Sequence, residues 1–334
     1  MTSNMPATLV LSRSDLESLL TMADVNAAIE DAFNSYGRGL WDTPTKIIFP
    51  QEKYNGDFGA MPAYCHEPEY IAIKWGGVHN HNPAIGLPTT LTQIILSDPA
   101  TAWPLLLAEG ALITQMRTGA AVGIATKYMA RDDARILAII GAGAVGRRAA
   151  ESISLVRGLS EIRVADMNIE QARLFAKDME AKLGLPVRPM PGAEEAVRGA
   201  DIVSVATPSR KAFIMADWVG PGTHINAMGA DSPGKQELDP TILLKARIIA
   251  DSVDQALVYG EVQSAVREGL LGKEQILGNI GQVAAGLLPG RTSAEEITVF
   301  DGTGLALEDA AVAYMAHTKA RSVRAGTYPT ISLI

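Results

Sequence analysis

Five side chains in four short stretches have the chemistry to bind and work on a small anion. Lys46 lies in "TPTKIIFP", Lys74 and Thr89 in "IAIKWGGVHNHNPAIGLPT", Arg117 in "QMRTGAA" and Asp231 in "INAMGADSPGKQELDP". Cations placed together can hold a substrate carboxylate, and a protein carboxylate beside the reacting carbon can take up or release a proton. A lysine in a strand usually faces solvent, yet Lys74 sits between "IAI" and "WGG", an apolar setting that argues for a purposeful charge. Arg117 reads either as an anion ligand or as a residue paired within its helix. Asp231 reads either as an acid/base group or as a turn residue before Ser-Pro-Gly. His79 and His81 form an H-N-H-N run, but a metal needs further ligands and a supporting shell, so no metal site is expected. Cys65, the single cysteine, excludes an internal disulfide and reads as a small half-buried residue.

A second constellation lies near the middle of the chain. "IIGAGAVGRR" places Gly141, Gly143 and Gly146 after an apolar strand and at the start of a helix, within one βαβ unit. Gly141 permits a tight turn, Gly143 admits a pyrophosphate close to the backbone, and Gly146 lets helix and strand pack closely. The helix amino terminus then faces the phosphates. Asp166, at the end of the next strand, suits the adenosine ribose hydroxyls and would repel a 2′-phosphate, so NAD is expected rather than NADP. Arg147 and Arg148 follow the loop and could blur that preference; they read as solvated helix residues.

These groups need elements to position them. Ser14 with Glu17 suggests a capping box ahead of two helices that end by Gly37 and Gly39. "TKIIFP", "GDFGAMPAY", "YIAIKWGGV" and "TTLTQIILSD" read as strands, with Asp98-Pro99 opening a hairpin to "AWPLLLAEG". The region to about residue 110 is therefore α+β, followed by the small-residue helix "LITQMRTGAAVGIATKYMAR". From Arg135, strands alternate with helices, the pattern of a doubly wound parallel sheet. The late helix "LALEDAAVAYMAHTKA" is expected to pack back toward the amino-terminal region. The fold expected is thus α/β: a Rossmann nucleotide-binding domain over 129–311, plus a discontinuous α+β domain from 1–128 with 312–334. The 334 residues carry a formal net charge of −8 with no long basic run, which argues against nucleic acid as a partner. A substrate anion must then be held by a few placed cations against the overall field. No apolar run is long enough to span a membrane, and the amino terminus lacks a signal-peptide pattern, so a cytoplasmic protein is expected.

The stretches "MPAY", "IKWGG…NPAIGLPT", "MRTGAAVG", "IIGAGAVG", "DIVSVATPS", "INAMGADSPGKQELDP" and "VFDGTGLALEDAAVA", in this order, resemble the ornithine cyclodeaminase/mu-crystallin family. The resemblance runs from about residue 44 to 316. It implies an enzyme handling an α-imino or α-amino acid against a nicotinamide cofactor, assembled as a homodimer through the amino-terminal domain. By the same resemblance Lys74 contacts the substrate carboxylate and shares in proton transfer, Arg117 binds carboxylate beside the cofactor, and Asp231 is the acid/base group. Thr89 lines the site. Cofactor contacts are expected from Gly141, Gly143, Ala144, Val145, Gly146 and Asp166, with Arg117, Thr118, Thr207, Gly229 and Asp231. Two positions depart from the family pattern. Lys46 stands where many members carry arginine, keeping the charge but losing the bidentate fork. Gly59 stands where ornithine cyclodeaminases place a glutamate for the distal amino group, which weighs against cyclodeamination. The expected function is NAD-dependent interconversion of a small α-imino acid and its L-amino acid, with a dicarboxylic imine such as iminosuccinate one option. Cyclodeamination with bound NAD, and a non-catalytic NAD(P)H-binding protein, are the alternatives.

Overall fold

The structure, a computed structural model, describes residues 7–324 and 326–332. Residues 1–6, part of the stretch read above as lacking a signal-peptide pattern, lie outside the described residues. The chain forms two compact units. One combines the chain up to Ala32 with Gly39–Arg117 and the chain from Leu305; the other combines Phe33–Arg38 with Thr118–Gly304.

The first unit opens with strand β1 (Thr8–Leu11), then helices α1 (Arg13–Leu19) and α2 (Met22–Gly37). The capping box belongs to Ser12 and Asp15, not Ser14 and Glu17. Both pairs have the required spacing, but β1 ends at Leu11 and leaves Ser12 extended, so the helix starts there. Glu17 instead pairs with Arg13 along the helix. The strands β2 (Trp41–Asp42), β3 (Ile47–Gln51), β4 (Gly56–His66), β5 (Glu69–His79), β6 (Thr90–Ser97) and β7 (Pro104–Glu109) follow. The turn between β6 and β7 is closed by the Asp98 amide on the Trp103 carbonyl at 2.9 Å. From β2 to β7 the neighbouring strands pair antiparallel, whereas β1 joins β7 in parallel.

Alternation gives this sheet two different faces. Tyr70, Ala72, Lys74 and Gly76 of β5 point to one face, with Ile94 and Leu96 of β6 buried beside them. The other face presents Ile71, Trp75, Leu91, Ile95 and Leu107, all exposed. Helix α3 (Gly110–Met129) leaves this unit at Arg117 and continues into the second.

The second unit is a wound sheet. It contains β8 (Ile136–Ile140), α4 (Ala144–Val156), β9 (Glu161–Ala165), α5 (Ile169–Leu183), β10 (Val187–Pro189), α6 (Ala193–Val197) and β11 (Ile202–Val205). Next come β12 (Arg210–Ile214), β13 (His224–Ala227), β14 (Gln236–Leu238), α7 (Pro240–Leu243), β15 (Arg247–Ala250), α8 (Val253–Tyr259) and α9 (Gln263–Arg267). Then follow β16 (Ile276–Asn279), α10 (Ile280–Ala284) and β17 (Thr298–Asp301). The strand order is β10-β9-β8-β11-β13-β17-β15-β16, all in parallel. Runs such as "ILAI" and "IVSV" are apolar throughout because helices cover such a sheet on both faces. Ala138, Ile140, Val203, Val205 and Ile225 pack with residues of α6, α7 and α8, whereas Ile139 points the opposite way, toward Gly146 of α4. The small residues of α3 have a packing reason. A Cβ on Gly119 or Gly123 would come within 2.4 Å of Arg148 or 1.8 Å of Ser152, both on α4. The small parallel pair β12–β14 and strand β16 were not read from the sequence. Their runs are short and carry no clear alternation.

After β17 the chain returns to the first unit as α11 (Ala306–Ser322), which packs on β4, β5, β6 and β7, and ends in β18 (Thr330–Ile331) beside β1. Its apolar and charged residues alike are buried along most of its first two turns.

Buried carboxylates tie together the loops at the carboxyl ends of the parallel strands. Glu237 accepts from the Thr207 amide and hydroxyl, both at 2.7 Å, and from the Gly229 amide at 2.8 Å. Glu261 accepts from the Glu237 and Leu238 amides, and Asp301 from the Glu261 and Val262 amides. Burial raises Glu237 and Asp301 to about 7 against the amides that favour their charged forms, and it raises Glu261 well above its ordinary range. Such groups hold protons in the folded chain that the unfolded chain has already lost, so their contribution falls as pH rises through 7. Buried His224, pulled down to about 3 by burial, acts in the opposite sense below its ordinary value of 6.5. Comparing a variant with wild type isolates one group. Glu261→Gln keeps an acceptor for the Glu237 and Leu238 amides but cannot ionise. Its stability relative to wild type should therefore improve steadily from pH 5 to pH 8, by at most about 1.4 kcal/mol per pH unit. Guanidinium unfolding at four pH values reads this; two parallel stability curves would contradict it.

Candidate functional site

The glycine-rich loop follows β8, where the strand order turns back on itself, with β9 on one side and β11 on the other. In wound sheets that position opens a crevice for a ligand. Gly141 adopts a φ of +104°, and a Cβ there would lie 2.6 Å from the Ala206 carbonyl. Gly143 is extended at the N-cap of α4, makes no side-chain cap, and has nothing within 4 Å of where a Cβ would be. The first amides of α4 are therefore left open beside exposed Ala144 and half-buried Val145. Gly146 is a packing residue, since a Cβ there would come within 2.2 Å of the Gly141 carbonyl. The open amides and the space at Gly143 make a cradle that a phosphate pair fits.

Asp166 follows β9 directly. One carboxylate oxygen accepts from the Ala142 amide and the other from the Asn168 amide, each at 2.9 Å, so the group is locked next to the loop. Arg147 is held at 3.0 Å by Asp178 and lies over the Phe175 ring, while Arg148 grips both oxygens of Glu151 at 3.1 Å. Neither arginine is the simply solvated residue its sequence suggested. Engaged in this way, neither is set aside for a 2′-phosphate.

Thr207 and Gly229 lie on the loops after β11 and β13 and are joined by the shared carboxylate of Glu237. A Cβ at Gly229 would sit 2.3 Å from that carboxyl group, which explains the glycine. Glu237 was missed in the sequence: in "KQELDP" it stands between Gln236 and Leu238 with Asp239 nearby, and nothing local sets it apart. Asp231 stands beyond the carboxyl end of β13, exposed, with its side chain 2.6 Å from the Lys235 ammonium. Thr118, at the start of the second unit's share of α3, is buried.

The first unit holds the cations. Lys74 lies at the middle of β5 on the face covered by α11, opposite Met61 on β4 and Ile94 on β6, and is 7% exposed. Its ammonium donates to Oδ2 of Asp309 at 2.7 Å. Arg117 donates through Nε to Oδ1 of Asp309 at 3.2 Å and through Nη1 to Oε2 of Glu308 at 2.7 Å. Thr114 also donates to Asp309, at 3.3 Å. Glu308 uses its other oxygen to cap its own helix, accepting from the Leu305 amide at 3.0 Å. Burial pulls the Lys74 ammonium down to about 8, Asp309 opposing and Arg117 and Lys46 assisting. Burial would raise Asp309 too, but Arg117 and Lys74 outweigh it and hold the carboxyl below its ordinary value. Arg117 stays firmly charged, its burial outweighed by Asp309 and Glu308.

Lys46, before β3, is likewise buried. Thr89 is half-buried ahead of β6, its carbonyl accepting from the His79 amide at 2.8 Å. Gly59 pairs with Gly76, on the same face as Lys74 and Met61, so this position contributes no carboxylate to that face. Asp309 and Glu308 were not singled out in the sequence because their partners lie about 190 residues or more away in the chain. Among the described residues no group of three or more His, Cys, Asp or Glu could hold a metal ion. Cys65 is buried, and burial pushes its thiol up, away from nucleophilic use. No helix among the described residues is long and apolar enough to cross a membrane.

Comparison with known proteins agrees with this arrangement. A profile of the ornithine cyclodeaminase/mu-crystallin family matches residues 7–324. The chain is 42% identical to an alanine dehydrogenase of Archaeoglobus fulgidus over 96% of its own length and 97% of that protein. It superposes on an archaeal alanine dehydrogenase dimer with bound NAD with a TM-score of 0.93 at 41% identity, covering 98% of this chain and 99% of that one. It superposes on the Δ1-pyrroline-2-carboxylate reductase of Thermococcus litoralis, in complex with NADH and L-proline, with a TM-score of 0.91 at 39% identity, covering 94% and 98%. The iminosuccinate reductase of Paracoccus denitrificans, in complex with NAD+, gives a TM-score of 0.91 at 30% identity, covering 98% and 100%. With the glycine cradle and the buried cation cluster both present, the chain belongs to the ornithine cyclodeaminase/mu-crystallin family.

Proposed function

We propose that this protein is an NAD-dependent oxidoreductase interconverting a small α-imino acid and its L-amino acid, with a single carboxylate on the substrate. The observation that carries the reading is the buried Lys74–Arg117 pair with its two counter-charges. Asp309 and Glu308 offset Lys74 and Arg117, so the cluster attracts anions less strongly than its cations alone suggest. A site balanced in this way suits one substrate carboxylate better than the two of iminosuccinate. The relatives named alanine dehydrogenase and pyrroline-2-carboxylate reductase support the same preference, each being more similar to this chain than the iminosuccinate reductase.

In this reading Gly141, Gly143, Ala144, Val145, Gly146 and Asp166 hold the nucleotide, with Arg117, Thr118, Thr207, Gly229 and Asp231 contributing. NAD supplies hydride transfer to or from the substrate carbon. Lys74, Arg117 and Lys46 hold the substrate carboxylate, Thr89 lines the site, and Asp231 exchanges the proton that accompanies reduction of the imine nitrogen. Gly59 brings no carboxylate for a distal ammonium, which disfavours cyclodeamination although a lysine cyclodeaminase is among the structural relatives. The exposed apolar sheet face with Trp75 and Ile95 is the surface we assign to a homodimer, the archaeal alanine dehydrogenase being itself a dimer.

A spectrophotometric screen with NADH tests the function, offering imines of 2-oxo acids with ammonia or methylamine and the cyclic imine Δ1-pyrroline-2-carboxylate. Oxidation of NADH is expected with monocarboxylic imines and at least about 10-fold more slowly with iminosuccinate, a loss of about 1.4 kcal/mol. No oxidation with any of them, together with proline formed from ornithine, would favour cyclodeamination instead. Asp231→Asn should cut turnover by about 100-fold or more while NADH affinity changes less than about 3-fold, as loss of an acid/base group predicts. Asp166→Ala should erode the preference for NADH over NADPH in the same assay.

A further inference from the structure

The mechanism above uses Lys74 and Arg117 but leaves aside the group that touches both. Asp309 sits in the first turn of α11, 1% exposed, with each carboxylate oxygen committed to a different cation. Oδ2 meets the Lys74 ammonium; Oδ1 meets Nε of Arg117 and the Thr114 hydroxyl. We propose that Asp309 is a positioning residue for the reaction, one carboxylate that fixes the spacing of Lys74 and Arg117 and keeps Lys74 charged. The inference rests on the assignment of those two cations to the substrate carboxylate.

The geometry supports this in three ways. First, the two bonds arrive on the two sides of one planar group, so neither cation can move without breaking a bond or turning the carboxylate. Second, the carboxylate is itself immobile. It rides on a helix capped by its neighbour Glu308, and Glu308 also binds Nη1 of Arg117. Arg117 is thereby held by two carboxylates at once, through Nε by Asp309 and through Nη1 by Glu308. Third, Lys74 emerges from the centre of a strand paired on both sides, so its backbone is as fixed as that of α11.

Charge works in the same direction. The charged groups facing Lys74 are Asp309 from α11, Arg117 from α3 and Lys46 from the segment before β3. Glu308 acts through Arg117, and β4 and β6 present only Met61 and Ile94 opposite Lys74. Among the described residues Asp309 is thus the one carboxylate in direct contact with the ammonium, set against two cations and burial. Without it, Lys74 would give up its proton more readily, and a neutral amine holds a carboxylate weakly.

The test is Asp309→Asn in the full-length protein with NADH. The alkaline limb of kcat/KM for the imine is expected to move about 1–2 pH units toward acid, the usual reach of one adjacent charge. In parallel, acetylation of Lys74 by trace acetic anhydride, read by mass spectrometry across pH, follows the ammonium without reference to turnover. Its midpoint should move the same way. If Lys74 labelling keeps its wild-type midpoint in Asp309→Asn, the proposal is overturned while the assignment of Lys74 stands. If labelling moves but the kcat/KM profile does not, Lys74 is outside the reaction, and the proposal falls together with the assignment beneath it. Should Asp309→Asn fail to fold, Asp309→Glu decides. It keeps the charge and displaces it by one methylene, so the limb should stay in place while KM rises by about 10-fold or more. An unchanged KM there overturns the proposal.

Discussion

Two cations buried under a sheet face need counter-charges close by, and much of the first unit follows from that requirement. An unpaired charge in such a place costs several kcal/mol, more than any single core contact returns. Lys74 and Arg117 precede the wound domain in the chain, and their partners, Glu308 and Asp309, come from its last tenth. The last helix must therefore return across the wound domain's whole length of sequence to lie on the first sheet. The discontinuity of the first unit is thus tied to the charge balance of its site.

The same requirement bears on substrate choice. Cations seen alone invite a dicarboxylic ligand, because three positive charges gathered in one place look strongly attractive to anions. Asp309 and Glu308 offset Lys74 and Arg117, so the attraction is weaker than the cations alone suggest. The overall balance of −8 reinforces this, since nothing in the wider field compensates for a missing cation at the site.

In the second unit, the phosphate cradle is held by sterics and the neighbouring loops by buried carboxylates. Gly141, Gly143 and Gly146 each answer a different demand: a left-handed turn, open space, and close packing. Glu237 then draws the loops after β11 and β13 together by accepting from Thr207 and Gly229, and Glu261 and Asp301 repeat the device one loop further on. A carboxylate can satisfy several amides at once without needing a donor of its own, which suits loops that must be fixed without being shielded.

Much of this was legible in the sequence. The strand and helix periods from Arg135 onward marked the wound sheet, the glycine spacing marked the cradle, and the apolar surroundings of Lys74 marked a purposeful charge. These are local properties, set by neighbours a few residues away. What the sequence could not supply was pairing at long range. The capping box moved from Ser14 to Ser12 because a strand ended there; Arg147 and Arg148 proved engaged because Asp178 and Glu151 lie beside them. Asp309 and Glu308 became visible only when the last helix was laid on the first sheet. Residue types and spacing determined the kind of chemistry this chain carries, whereas tertiary structure alone decided how its charges are balanced, because that depends on distances between groups that sequence separation does not constrain.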